Sequence, residues 1–321
     1  MEFLGGKFLQ VFIALAVFAA LIGLIMLIVD RAPKSVKDKV TIAGFLAPAA
    51  ILMLVGLVYP AVTTTFLAFT NASGQPNGMD NFVWMFTQPE AVTTLRNTVI
   101  WTVLVPLLAT GFGLAYAVFI DKARGEKVLK ALVFMPMAIS FVGAGIIWKL
   151  VYDYRGPGIE QTGVFNAVRA ALGMDPKQFL LDAPENTVFL IIVMVWIQTG
   201  FAMVILSAAI KGVPMELVEA ARLDGANPWQ QFRNVTIPGI RGALVVVLTT
   251  ITIATLKVFD IVRTMTAGNY DTSVVANEMY TQAFRAGEPG RGAALALILF
   301  LLVLPIVVYN ARVLRQQREI R

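Results

Sequence analysis

Seven long apolar stretches constrain the fold of this chain more than any other feature of its sequence. A bilayer core about 30 Å thick needs about 20 apolar helical residues to cross it, and each stretch is long enough. Only 14% of the residues are charged, whereas about 25% is usual in soluble domains. The sequence therefore predicts an all-α membrane protein with about seven transmembrane helices. The predicted spans are 8–29, 42–69, 93–120, 131–152, 187–211, 239–262 and 293–314.

Positively charged residues between the stretches predict the orientation of the chain. Sixteen lysines and arginines lie in one alternate set of connections, at 30–41, 121–130, 211–241 and in the C-terminal tail. The opposite set, which includes Lys7, holds seven. Lysine and arginine accumulate in cytoplasmic connections, so the N-terminus is expected outside and the C-terminus in the cytoplasm. The net charge of +6 has the same explanation, and no nucleic-acid partner is expected.

The first stretch is predicted to be retained rather than removed as a signal peptide. Its leader contains Glu2 as well as Lys7, so it lacks a basic n-region, and no A-x-A site follows the apolar run. Residues 1–41 are therefore predicted to form an extra N-terminal transmembrane helix with a basic linker. Residues 42–321 are predicted to form the main transmembrane domain, with a cytoplasmic segment at 212–240.

Residue types that the chain lacks narrow its chemistry. Cysteine and histidine are both absent, which excludes disulfides and thiolate catalysis and removes the commonest general base and metal ligand. The spans contain no paired-carboxylate motif. No catalytic residue and no metal site are therefore predicted, and an intramembrane enzyme is disfavoured.

The cytoplasmic segment is polar, in contrast to the stretches around it. It includes VEAARLDGANPWQQFRNVTIP, from Val218 to Pro238. Pro214 suits the start of a helix, and Gly225 accepts the positive φ that ends one. Asn227 is a plausible N-cap, with Pro228 at the first helical position. The segment is thus predicted to be a helix, a glycine turn and a second helix.

The spacing within this segment resembles the signature of importer-type ATP-binding-cassette permeases. That signature is Glu-Ala-Ala, three residues, Gly, nine residues, Ile, any residue and Leu-Pro. Here it reads Glu219, Ala220, Ala221, Gly225, Val235, Thr236, Ile237 and Pro238, with Val and Ile in place of Ile and Leu. The resemblance extends from about residue 42 to the C-terminus and is closest to the sugar branch, which includes maltose and α-glucoside permeases. Further similar segments are RNTVIW, LVFMPMAISFVGAGIIWK, WIQTGFAMVILSAAIKGVP and LKVFDIVRTMTAG.

The resemblance implies an architecture and a set of partners. The expected fold is the six-helix core of type I importers plus one extra N-terminal helix, in a bacterial-type inner membrane. The expected partners are a second homologous permease, two ATP-binding subunits, an extracytoplasmic sugar-binding protein and membrane lipid. No Walker-type motif is present, so ATP and Mg²⁺ are expected on the partner ATPase and no cofactor in this chain. The residues implied to couple to that ATPase are Glu219, Ala220, Ala221, Asp224, Gly225 and Pro238.

Polar residues inside two spans are candidates for the substrate path. Lys257 and Asp260 lie three residues apart in the sixth span, where charge is costly, and they are spaced to pair on one helix face. Gln198 and Thr199 lie in the fifth span. In maltose-type permeases the corresponding stretches line the sugar site, although that pattern has no Lys-Asp pair. The alternative hypothesis is an ion-coupled secondary transporter that works alone and uses Lys257 and Asp260.

Overall fold

The computed structural model describes residues 2–120, 123–156 and 158–319, with side chains described for residues 9–312 of these ranges. Helices form the fold, and the only extended pairing among these residues is an isolated antiparallel bridge between Thr70 and Pro76. Lys122 and Arg321, which contributed to the predicted orientation, lie outside the described residues. The α-helices are α1 Glu2–Arg31, α2 Lys37–Met53, α3 Tyr59–Leu67, α4 Asp80–Thr87, α5 Pro89–Ile120, α6 Glu126–Phe134, α7 Phe141–Val151, α8 Val164–Ala171, α9 Glu185–Lys211, α10 Met215–Leu223, α11 Pro228–Gln231, α12 Ile237–Gly239, α13 Arg241–Leu256, α14 Asp260–Met265, α15 Val275–Phe284 and α16 Pro289–Glu319.

Two compact units divide the chain, residues 1–64 and residues 65–321. In the first unit α1 and α2 pack on each other, and Gly44 allows a close contact. A Cβ at Gly44 would lie 3.1 Å from Ile25 Cγ2. The side chains of both helices are largely exposed within the unit, as expected for apolar surfaces that face lipid.

The second unit is built on the pair of long helices α5 and α9. A Cβ at Gly113 of α5 would lie 2.4 Å from the Cβ of Ala202 and 2.8 Å from the backbone nitrogen of Met203. The two helices therefore touch nearly backbone to backbone. Large buried side chains surround this contact, including Trp101 on α5 and Met194 and Leu206 on α9. Helices α6, α7, α13 and α14 pack around α9.

The predicted spans correspond to five single helices and two bent pairs. Single helices long and apolar enough to cross a membrane cover Leu9–Arg31, Lys37–Leu67, Pro89–Ile120, Glu185–Lys211 and Pro289–Arg312. The pair Glu126–Ala138 and Phe141–Val151 bends by 103°, and the pair Pro228–Gly239 and Arg241–Leu256 bends by 69°. If each bent pair is one span, the part of the chain that the structure describes holds up to seven candidate spans.

The stretch 131–152 is therefore not one continuous helix. A 3₁₀ turn over Met135–Ala138 ends its first half, and Ser140 then caps α7, its Oγ accepting a hydrogen bond from the Gly143 backbone N–H at 3.0 Å. Pro136 and the capping serine each favour a helix end over a helix interior. Apolar content alone did not reveal the bend, because both halves are equally apolar.

Two π-helical turns each lie just before a proline. Leu54–Val58 precedes Pro60, and Phe232–Thr236 precedes Pro238. A proline inside a helix lacks an N–H, and its ring clashes with the carbonyl four residues earlier. The wider turn accommodates the ring without ending the helix, a typical arrangement of π-bulges.

Candidate functional site

The segment at residues 212–240, called here the coupling segment, begins with helix α10. Its sequence MELVEAARL is rich in helix-forming residues, and Pro214 precedes the first turn. The helix ends at Leu223 with Asp224 as its C-cap, and the next residue, Gly225, has a φ of +81°. The Ala226 N–H bonds to the Ala221 carbonyl at 3.0 Å, and the Gly225 N–H bonds to the Arg222 carbonyl at 3.1 Å. These two bonds form a Schellman motif, which confirms the predicted glycine turn.

A capping box starts the second helix of the segment. The Asn227 side chain accepts from the Gln230 N–H at 2.9 Å, and the Asn227 N–H donates to the Gln230 side chain at 2.8 Å. Pro228 occupies the first helical position. The predicted N-cap is confirmed, and its reciprocal partner Gln230 adds to it. The helix continues through the π turn to Gly239, and α13 starts at Arg241.

The outer face of the coupling segment is exposed and partly apolar. Glu219, Ala220, Asp224, Gly225 and Pro238 are exposed, and Ala221 is half-buried. The same face carries Leu223, 89% exposed, and Trp229, 65% exposed. Glu219 and Arg222 lie three residues apart on α10, a spacing that allows an ion pair, but their side chains form none with each other.

The inner face of the coupling segment encloses a cavity of about 510 Å³ against the ends of α5 and α9. Val218 and Arg222, one turn apart on α10, face it, whereas Glu219 and Leu223 face away. The cavity leaves room between α10 and the membrane helices. Its lining residues are Val118, Ile210, Val218, Arg222, Ala226, Pro228, Gln231, Phe232 and Thr236.

Gln198 and Thr199 both lie buried in the middle of α9, with 9% and 6% exposure. The Thr199 hydroxyl donates to the Val195 carbonyl at 2.7 Å. Thr199 also lines a cavity of about 630 Å³ between α5, α6 and α9, together with Tyr116 and Trp196. Apart from Thr199, the side chains that line this cavity are apolar or aromatic: Leu108, Phe112, Tyr116, Leu132, Val133, Pro136, Ile192, Val195 and Trp196.

Lys257 and Asp260 flank a break in the sixth predicted span. Helix α13 ends at Leu256 with Lys257 as its C-cap, and α14 begins at Asp260. A cation at a helix C-terminus and an anion at a helix N-terminus are both favourable. Lys257 is exposed and Asp260 is half-buried. The two side chains form no ion pair with each other, because the break removes the helical geometry that an i,i+3 pair needs.

Helix α14, which starts at Asp260, packs against α9, the helix that carries Gln198. Helix α14 packs more extensively on α7 than on α9. A Cβ at Gly145 of α7 would lie 3.1 Å from the Thr264 side chain of α14. Among the described residues, no cluster of three acidic side chains is close enough to hold a metal ion.

Three buried asparagines hold the loop that follows α14, and sequence reasoning missed all three. The loop 266–273 contains positive φ angles at Ala267, Tyr270 and Asp271, which cost energy for residues other than glycine. Asn97 donates to the carbonyls of Asp271 and Ser273 at 2.6 and 3.0 Å, and Asn186 donates to that of Tyr270 at 2.7 Å. Asn277 donates to that of Ala267 at 3.4 Å. Of the three, only Asn97 lies within a predicted span, and it was the available signal, because a buried amide needs partners.

The chain belongs to the family of binding-protein-dependent transport system inner membrane components, whose model matches residues 96–319. It is therefore a multi-pass membrane component of a transport system, and the predicted resemblance to importer permeases is confirmed. The family membership argues against a carrier that works alone. The absence of a Lys257–Asp260 pair also leaves that alternative without its proposed coupling pair.

Two relatives match over most of their lengths. The alpha-glucoside transport system permease protein AglF of Rhizobium meliloti is 47% identical over 270 residues, covering 84% of this chain and 80% of the relative. The osmoprotective compounds uptake permease protein GgtC of Synechocystis sp. is 44% identical over 278 residues, covering 86% of this chain and 100% of the relative.

The fold is similar to a chain of a bacterial ABC transporter involved in the import of the acidic polysaccharide alginate. The TM-score is 0.75 at 23% sequence identity, with 88% of this chain and 98% of that chain covered. This likeness confirms an all-helical fold of the ABC importer permease type.

Proposed function

We propose that this chain is the permease subunit of an ATP-driven importer for an oligosaccharide of the α-glucoside class. An extracytoplasmic binding protein delivers the sugar, and a second, homologous permease completes the translocation path. Two ATP-binding subunits, which hold ATP and Mg²⁺, dock on the coupling segment. The chain lies in the inner membrane with seven spans, its N-terminus outside and its C-terminus in the cytoplasm.

The exposed outer face of the coupling segment is the observation that carries this proposal. The small side chains of Ala220, which is exposed, and Ala221, which is half-buried, allow close approach of a partner backbone, and Leu223 and Trp229 offer apolar area. Glu219 presents a carboxylate for a cation on the ATPase. A Schellman motif and a capping box fix the angle between the two helices, so a push on α10 is transmitted to α13 rather than absorbed by a flexible loop.

The substrate class rests on the relatives and on the polar groups of α9 and α14. One relative is named for alpha-glucosides and the other for osmoprotective compounds, so both substrate classes belong in a transport test. We assign Gln198, Thr199, Lys257 and Asp260 to the sugar path. Hydroxyl-rich ligands need both donors and acceptors beside apolar surface, and these residues supply them within one group of packed helices.

Co-purification and uptake test the coupling role together. Gly225→Asp places a side chain at a φ of +81° in the middle of the exposed face, and Glu219→Lys reverses the charge there. We expect either change to lower the yield of co-purified ATPase, or to leave it bound while uptake of radiolabelled sugar falls at least tenfold. The uptake panel includes maltose, trehalose, sucrose and a compatible-solute glycoside.

Gly173→Asp is the matched control. Gly173 also has a positive φ, +73°, with open space around its Cβ position, but it follows α8, outside the coupling segment. It carries the same backbone penalty without touching the proposed ATPase contact, so assembly and uptake should be retained. Normal assembly and uptake in the Gly225 and Glu219 variants would contradict the proposal.

A further inference from the structure

Four side chains tie the start of α6 to the end of α9. Glu126 is the first residue of α6, and its Oε1 accepts hydrogen bonds from Lys130 Nζ at 2.7 Å and from Lys211 Nζ at 2.6 Å. Lys130 also donates to the Ser207 hydroxyl. We call Glu126, Lys130, Ser207 and Lys211 the α6–α9 clamp. One carboxylate oxygen thus joins two helices that are about 80 residues apart in the sequence.

Three of the four residues of the α6–α9 clamp are less accessible to water than the members of an exposed ion pair. Exposed pairs contribute little, because water competes for both charges. Here the Glu126 side chain is 29% exposed and that of Lys130 22%, and Ser207 is buried, whereas the Lys211 side chain is 51% exposed. Glu126 lies at a helix N-terminus and Lys211 is the last residue of α9, so both charges also complement the helix dipoles.

A second contact holds α6 against α9 further along the helices. A Cβ at Gly200 would lie 2.6 Å from the Val133 carbonyl oxygen and 3.0 Å from Phe134 Cα. The backbones of the two segments therefore touch at Gly200, while the clamp joins them at the other end of α6. Two separated attachment points prevent α6 from pivoting on α9.

The clamp lies directly before the coupling segment. Lys211 is followed by Gly212, Val213 and Pro214, and α10 starts at Met215. Val213 also packs at the far end of the same segment, since a Cβ at Gly239 would lie 3.1 Å from Val213 Cγ2. Only Gly212, Val213 and Pro214 separate Lys211 from α10, and Val213 packs against Gly239. A displacement of α10 is therefore transmitted to Lys211 over a short distance.

We propose that Glu126 is a positioning residue that makes α6 move as one body with the coupling segment. This inference rests on the proposed coupling function. Helix α6 is the first half of the bent pair, and Leu132, Val133 and Pro136 line the 630 Å³ cavity beside Thr199. Movement of α10 is then transmitted to α6 through the clamp, in addition to any movement carried by α13.

Spin-label distances in the assembled complex test this proposal without a sugar. The chain has no cysteine, so introduced cysteines give unique labels in it. The first pair, at exposed Lys127 of α6 and Glu216 of α10, reports on the clamp. The second pair, at Glu90 of α5 and Glu216, reports whether ATP with Mg²⁺ and vanadate moves α10 at all.

In the otherwise unchanged chain we expect trapping to shift the 90–216 distance by several ångströms and to leave the 127–216 distance unchanged. Glu126→Ala should broaden the 127–216 distribution and make it depend on nucleotide. The exchange Glu126→Lys with Lys211→Glu restores one carboxylate facing two ammonium groups and should return the narrow distribution. Glu185→Ala removes the Lys177 partner at the opposite end of α9 and should change neither distance.

The two label pairs separate failure of this inference from failure of the proposed function. A 90–216 distance that does not respond to ATP in the unchanged chain would overturn the coupling role itself. A 90–216 distance that responds, with a 127–216 distribution identical in the Glu126→Ala chain, would overturn the clamp alone. A variant that broadens both pairs without nucleotide would show a general loss of packing, and would also overturn the clamp.

Discussion

Single polar residues in this chain act mainly by holding backbone in place. Asn97, Asn186 and Asn277 satisfy carbonyls of a loop that has three non-glycine positive φ angles, and Glu126 joins two helix ends. The asparagines work because their buried surroundings exclude competing water, which strengthens hydrogen bonds and makes an unpaired group costly.

The variant Asn97→Leu tests whether Asn97 holds the loop 266–273 in place. The change removes the donor to the carbonyls of Asp271 and Ser273, and a buried group left unsatisfied costs about 1–3 kcal/mol. We expect a lower thermal midpoint in detergent and faster proteolysis at the loop. Asn269→Ala, in the same loop but exposed, should leave the midpoint unchanged. Equal thermal midpoints of the two variants would contradict the role of Asn97 in holding this loop.

The variants Gln198→Ala and Lys257→Ala test whether these two side chains contact the sugar. If each side chain donates one hydrogen bond to the sugar, its loss costs about 1–1.5 kcal/mol, or roughly tenfold in apparent affinity. We expect KM for uptake to rise with the amount of assembled complex unchanged. Lys149→Ala, which removes an exposed lysine at the end of α7, is the control. Unchanged KM in both path variants would remove these residues from the path.

Breaks and close contacts decide how the helical elements work. The 103° bend after α6 and the 69° bend before α13 turn two predicted spans into jointed elements. Glycines at 113 and 200 bring α5 and α6 against the backbone of α9. These contacts give α9 a central position, with the coupling segment at one end and the polar residues in its middle.

Gly113→Val tests the α5–α9 contact. A side chain at this position overlaps Ala202 and the Met203 backbone, so the helices must separate, and overpacking of this kind typically costs about 1–3 kcal/mol. We expect a lower thermal midpoint and less assembled complex. Gly111→Val, on the same helix with open space around its Cβ position, is the control and should assemble normally.

Pro238→Ala tests the π turn of the coupling segment. Alanine restores the N–H and removes the ring clash, so the turn is free to tighten to an α-helix and change the direction of α10 relative to α13. We expect ATP hydrolysis to continue while sugar uptake falls several-fold. Pro60→Ala alters the same arrangement in the first unit and should leave the ratio of uptake to hydrolysis unchanged. An unchanged ratio in both variants would show that the proline does not set the coupling geometry.

The charge and hydropathy of the whole chain predict its orientation in the membrane, which cysteine labelling can check. Single cysteines at Lys34, Arg124 and Arg233 should react with a membrane-impermeant maleimide only after the membrane is permeabilised. A cysteine at Arg169 should react in intact spheroplasts. The reverse pattern would invert the predicted topology, and accessibility of Arg124 and Arg233 from opposite sides would change the number of spans between them.

The sequence by itself determined the helical class, the apolar segments and the local structure of the coupling segment. These features depend on residues close in the chain: runs of apolar side chains, a glycine at a positive φ, and an asparagine followed by proline. It also indicated the family, because the spacing from Glu219 to Pro238 lies within one short segment.

Only the tertiary structure decided the bends, the clamps and the cavities. The sequence spacing of Lys257 and Asp260 allowed a pair on one helix face, but a helix break between them prevents it. Glu126 and Lys211 lie in two connections that are predicted to be cytoplasmic and are far apart in the sequence, yet packing of α6 on α9 brings Lys211 Nζ to 2.6 Å from Glu126 Oε1. Contacts between residues far apart in the chain depend on how whole helices pack, and the periodicity of a single segment carries no information about that packing.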